Sequence, residues 1–150
     1  MAHDDWQART RAAQQGLAPL GFLIGRWAGE GHSHGEPVTA ILTVRPCLGE
    51  TFVEAREQMF TADGTLDHED ISFYRYDDRE GHLRVRQLMA PAHISERMVL
   101  PRPDGGIRWY EGPLGVQVHF IPGPDGSLTE KVVLPLQSAP AVLLTYRRAQ

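Results

Sequence analysis

From Gly25 onward the chain is cut at close intervals by clusters of turn-forming residues. They fall at 34–37 (HGEP), 46–49 (PCLG), 62–65 (ADGT), 77–81 (DDREG), 90–93 (APAH), 101–106 (PRPDGG), 111–115 (EGPLG), 122–127 (PGPDGS) and 135–140 (PLQSAP). Most of the chain's Gly 15 and Pro 11 lie in these clusters. No convincing helical period appears between them, and short segments of this kind suit strands. Several alternate as a half-buried strand does. Val38, Ala40, Leu42 and Val44 share a face, as do Leu83, Val85 and Met89, and Ile94, Met98 and Leu100. Ile107 with Trp109, then Val116, Val118 and Phe120, then Leu128, Val132 and Leu134 repeat the pattern, and 141–148 forms the last strand. About ten strands joined by hairpin-length links should pair antiparallel with their sequence neighbours. Closing that meander into an up-and-down barrel removes its two open edges. A two-sheet sandwich is the alternative, but it normally needs longer crossing connections. A barrel of more than about eight strands is wider than its side chains usually fill, so it tends to hold a ligand.

The segment before the strands differs in kind. Residues 5–16 carry good helix formers, with Gly16 as a stop and Asp4 or Asp5 as a cap. Trp6 is its only large apolar anchor, so a short surface helix is expected. Residues 17–24 (LAPLGFLI) are apolar but broken by Pro19 and Gly21, which suits a buried plug or a 3₁₀ turn. The division expected is one domain over 1–150, with helix and plug in 1–24 and barrel in 25–148. A net charge of −4 gives no general attraction to nucleic acid or acidic lipid. The lone Cys47 can form neither an internal disulfide nor a thiolate metal cluster. No secretory h-region and no apolar run of membrane-spanning length is present, so a cytoplasmic protein is expected.

The most specific local feature is Gly25-Arg26-Trp27-Ala28-Gly29-Glu30-Gly31-His32-Ser33-His34-Gly35. In an extended chain Trp27, Gly29, Gly31, Ser33 and Gly35 face one way, and the polar residues face the other. Trp27 would then plug one end of the interior. The glycines either admit another strand or a ligand to the backbone, or only permit the bend that closes a barrel. The pattern LxFLxGxWxGxG, from Leu20 to Gly31, resembles the start of the nitrobindin-like proteins. More broadly it is similar to the fatty-acid-binding-protein-like members of the calycin barrels, some of them families of unknown function. Pro37-Val38-Thr39 is similar to the Pro-Thr step that follows the glycine segment there. The resemblance implies the barrel. It also implies a haem ligand, a His near the C-terminus, and here the sequence departs. Residues 136–148 contain no His, and the last of the chain is His119.

Candidate chemistry is sparse. His32 and His34 form an H-x-H pair flanked by Glu30 and Glu36, but no third metal donor is identified, and solvated histidines are expected. His68, His82, His93 and His119 are scattered singly; His68 lies in an acidic stretch that would raise its pKa. No nucleophile elbow, P-loop or dinucleotide fingerprint is present. More informative are polar residues on otherwise apolar faces. Glu57 shares a face with Val53, Ala55 and Met59, and Arg75 with Ile71 and Phe73. Gln87 interrupts Leu83, Val85 and Met89. Glu96 sits among Ile94, Met98 and Leu100, Glu130 among Leu128, Val132 and Leu134, and Tyr146 after Val142 and Leu144. Pointing inward, they would pair or meet a ligand's polar group. Which face of 50–60 and 66–76 is interior stays open, because apolar residues fall on both sides.

The expected role is a small-molecule-binding barrel enclosing a largely apolar ligand with a polar group. Its predicted contacts are Trp27, Glu57, Arg75, Gln87, Glu96, Trp109, Glu130 and Tyr146, with the two tryptophans as ring contacts. No catalytic residue, metal or cofactor is expected. Two alternatives stand beside it: an acid/base isomerase or hydratase using interior carboxylates such as Glu96 and Glu130, and a haem protein using His93 or His119. The expected partner is a hydrophobic or amphipathic small molecule, not nucleic acid or membrane. A homodimer stays open.

Overall fold

A computed structural model describes residues 2–112 and 115–150. Helix α1 spans His3–Gly16, a 3₁₀ turn spans Ala18–Leu23, and ten strands follow. These are β1 (Gly25–Ser33), β2 (Glu36–Cys47), β3 (Phe52–Thr61), β4 (Leu66–Asp77) and β5 (His82–Met89). Next come β6 (His93–Pro101), β7 (Ile107–Glu111), β8 (Val116–Pro122), β9 (Leu128–Val133) and β10 (Val142–Arg148). Every strand pairs antiparallel with its sequence neighbour, and β1 pairs with β10 to close the barrel. The expected meander and its closure are therefore both present.

The strands follow from the turn chemistry. Between β1 and β2 the two-residue link is His34-Gly35, both at positive φ, which matches the twist of the flanking strands. His34 thus sits in the turn, while His32 is a strand residue, so the two rings do not leave one strand face as the H-x-H spacing suggested. At the far end of β2, Pro46 and Cys47 still pair with Val53 and Phe52, so the turn begins two positions later than the PCLG cluster implied.

One end of the barrel is sealed. Leu20 and Leu23 of the 3₁₀ turn are buried, and the Trp27 indole donates to the Leu23 carbonyl at 2.8 Å. The Arg148 guanidinium covers that indole 4.4 Å from the ring centroid. Below mid-height Tyr74, Trp109 and Phe120 fill the interior, with Trp109 edge-on to Tyr74 and stacked on Phe120. The helix is held differently from expectation. Trp6 is 63% exposed and no helix residue is buried. Contact comes instead through Gly16, which lies so close to the Tyr76 ring that a β-carbon there would collide with it. Arg9 pairs with Asp78, and the Gln14 amide donates to the Gly49 carbonyl. Asp4 and Asp5 lie in the first turn, and no side chain caps the start.

On the outer wall, His119 of β8 is covered between Arg102 and Gln117 and is only 5% exposed. Burial, then the Arg102 charge, lowers its pKa to about 4. The unfolded chain takes up a proton below about pH 6.5 and the fold resists it until about pH 4. Stability held above pH 6.5 is therefore lost as pH falls through that window, by about 3 kcal/mol at most. Urea melts of the protein and a His119→Gln variant at pH 7.5 and 5 should show the variant losing less on acidification; equal losses would contradict this.

Candidate functional site

The opposite end of the barrel is open. A cavity of about 700 Å³ runs inward from the β1–β2, β3–β4, β5–β6 and β7–β8 turns. Its wall carries the apolar Met59, Met89, Val116, Val118, Val132 and Val142, with the polar Arg97 and Glu111 toward the mouth. Its floor is polar, formed by Glu57, His68, Asp70, Gln87 and Glu130. Strand alternation delivers these groups. On β3 the inward set is Val53, Ala55, Glu57 and Met59; on β4 it is Asp70, Ser72 and Tyr74, with His68 half-buried above them.

Floor contacts are specific. Tyr146 reaches across from β10, and its hydroxyl donates to Glu57 Oε2 at 2.6 Å, with Glu130 Oε2 at 3.3 Å. Gly29, its partner in the β1–β10 register, supplies the room: a β-carbon there would lie 2.6 Å from the Tyr146 ring. Glu57 and Glu130 are 3% and 5% exposed. Burial, then the neighbouring Glu130 carboxylate, pushes the Glu57 pKa well above the usual carboxylate range. Burial also raises Glu130, to about 7, with the charge of Asp70 adding to it. The pair therefore holds a proton at neutral pH, as close carboxylates do. Beside them, His68 Nε2 meets Asp70 Oδ2 at 2.6 Å, and that hydrogen bond raises the His68 pKa. A chamber of about 20 Å³, the size of one water, lies between the floor groups and Trp109. Nearer the mouth, Glu111 accepts from the Trp109 indole at 3.0 Å and from Ser95 at 3.2 Å, with Arg97 at 3.6 Å.

Of the eight residues picked from the sequence, Glu57, Gln87 and Glu130 line the cavity, and Tyr146 stands behind it with its hydroxyl on the floor. Trp109 lies beneath, under the small chamber. Trp27 is at the sealed end, away from the cavity. Arg75 and Glu96 are on the outer wall. There they pair with each other at 3.0 Å, and Arg84 joins Glu96 at 3.2 Å. The placement of Glu96 has a physical source. On β6 the alternating Ile94 and Met98 are 58% and 45% exposed, while Ser95, Arg97 and Val99 point inward. Apolar periodicity marks the outer face there because the interior near the mouth is polar. Glu96 therefore offers no partner to Glu130; Glu57 takes that place.

Sequence reasoning missed Asp70, His68, Arg97 and Glu111. The first two carry a signal: His68-Glu69-Asp70 places an imidazole and a carboxylate on one side of a strand. Neither histidine considered for haem is on the floor. His119 is on the outer wall, and His93 stands exposed at the cavity rim. No helix among the described residues is long and apolar enough to cross a membrane. No family model and no curated protein matches the chain.

Proposed function

We propose that this barrel binds a small, largely apolar molecule whose polar group points to the floor. The observation carrying the reading is the open cavity itself, about 700 Å³, with apolar side chains in its wall above convergent polar groups on its floor. That volume lies within the range of ligand pockets, and the polarity is distributed as such pockets require. Enclosure removes the ligand's apolar surface from water, and Glu57, Gln87, Glu130 and Tyr146 set its orientation. A second reading, acid/base chemistry, is favoured by one contact: Tyr146 ties Glu57 to Glu130, so one carboxyl of the pair is held protonated beside an ionised one.

Native mass spectrometry of gently purified protein should show a co-purified small molecule. The neutral fluorophore N-phenyl-1-naphthylamine should bind saturably at one site. Filling the wall with Val116→Phe and Val132→Phe should weaken that binding by about tenfold, the consequence of losing roughly 1.4 kcal/mol, with the thermal midpoint retained. Binding that ignores the filled cavity would contradict the reading.

A further inference from the structure

Glu57 of β3 and Asp70 of β4 stand directly opposite each other in the strand register. They are 3% and 8% exposed. Like charges facing across a strand pair repel, and burial strengthens the repulsion. Among the described residues no Arg or Lys forms an ion pair with Glu57, Asp70 or Glu130; the only basic partner is His68 on Asp70. A plain His68–Asp70 ion pair answers for Asp70 alone. It leaves Glu57 facing one carboxyl group across the ladder and another across the barrel, with one phenol hydroxyl and the proton of the Glu57–Glu130 pair between them.

The three groups also have a geometry. One donor atom each from Glu57, His68 and Asp70 lies within 4.8 Å of the other two. All three line the cavity floor, and the cavity gives a path inward from the mouth. Glu57 is already oriented by Tyr146, in the way a ligating carboxylate is fixed by an outer hydrogen bond. We propose that Glu57, His68 and Asp70 bind a single divalent cation of the first transition row, with Zn²⁺ the best match to one imidazole and two carboxylates. Three protein donors leave a fourth position for a further ligand, and all three donors line the cavity. This deepens the ligand-binding reading and rests on it only for that position. The polar group of the apolar ligand is then a Lewis base, such as a carboxylate or an imidazole, that completes the coordination.

The probe is Zn²⁺ itself, titrated calorimetrically into the full chain after EDTA treatment and removal of the chelator. The expected result is one equivalent bound, weakened at least about tenfold by His68→Ala and by Asp70→Asn. His32→Ala, which breaks the surface H-x-H pair, should leave it unchanged. Co²⁺ should give visible d–d absorption that His68→Ala abolishes. Thermal melts check that the variants fold, and His68→Gln replaces His68→Ala if the latter does not. No binding by the wild-type chain overturns the assignment, as does binding that survives both floor variants or is lost in His32→Ala. Naphthylamine binding measured in EDTA separates the two readings: if it persists while Zn²⁺ fails to bind, only the metal site falls.

Discussion

Gly31→Ala should open the seam of the barrel, with a loss of about 3 kcal/mol. The thermal midpoint would fall by roughly 6–12 °C for a chain of this size. At Gly31 a β-carbon would lie 1.9 Å from the Leu143 carbonyl oxygen and 3.0 Å from the Leu144 Cα. Both obstacles are backbone of β10, the strand that closes the sheet on β1. A side chain could rotate away from the added methyl, whereas here one strand must move and break the ladder on either side of the Gly31–Leu144 pair. Gly21→Ala is the control. Nothing lies within 4 Å of a β-carbon at Gly21, and its φ is compatible with alanine. That change should be neutral or stabilise by less than about 1 kcal/mol. Paired chemical melts decide it: equal effects at the two glycines would mean that the seam tolerates expansion.

The glycine segment shows what was readable before any coordinates. Its alternation correctly set Trp27, Gly29 and Gly31 apart from the charged residues, while its bareness left a close approach and a mere bend as alternatives. That the approaching group is the backbone of β10 at Gly31 and the Tyr146 ring at Gly29 is a matter of strand order, which only closure defines. The strand count and the hairpin connections were legible because turn residues are local signals. Facing was legible wherever one side of a strand is apolar and the other is not, as on β2 and β10. It failed on β6, where the inward set is Ser95, Arg97 and Val99, and it was undecidable on β3 and β4. β6 and β4 turn several polar side chains inward, and β3 and β4 carry apolar residues on both faces, so hydrophobic alternation does not decide their facing. The floor was half visible for the same reason. Glu57, Gln87 and Glu130 stand out against apolar neighbours on their own strands, while His68 and Asp70 sit in a stretch that is acidic on both faces. A functional site in a barrel is thus hardest to read where the barrel departs from a plain apolar core.

Glu57→Gln combined with Glu130→Gln should make the EDTA-treated protein more stable at pH 8 and nearly unchanged at pH 5. For a carboxyl whose folded pKa is raised, the fold binds more protons than the unfolded chain, so stability falls as pH rises. The contribution is fully present below about pH 4.5, the unfolded value, and is lost as pH rises through the folded value, about 7 for Glu130. The difference corresponds to about 3 kcal/mol by pH 8, or roughly 6–12 °C in thermal midpoint. Glutamine keeps an acceptor for the Tyr146 hydroxyl and removes the charge, so packing is nearly conserved. His119 titrates over an overlapping window with the opposite slope, and comparing variant with parent at each pH cancels it. A variant less stable than the parent at pH 8 would mean that the two anions are already compensated within the fold. The expected gain has a further consequence. Tyr146 has one hydroxyl proton for two carboxylates, and the barrel could bury the same volume at lower cost with amides or aliphatic side chains. A gain in stability on neutralising the buried acids is what the proposed binding role expects, since stability alone gives no reason to keep them.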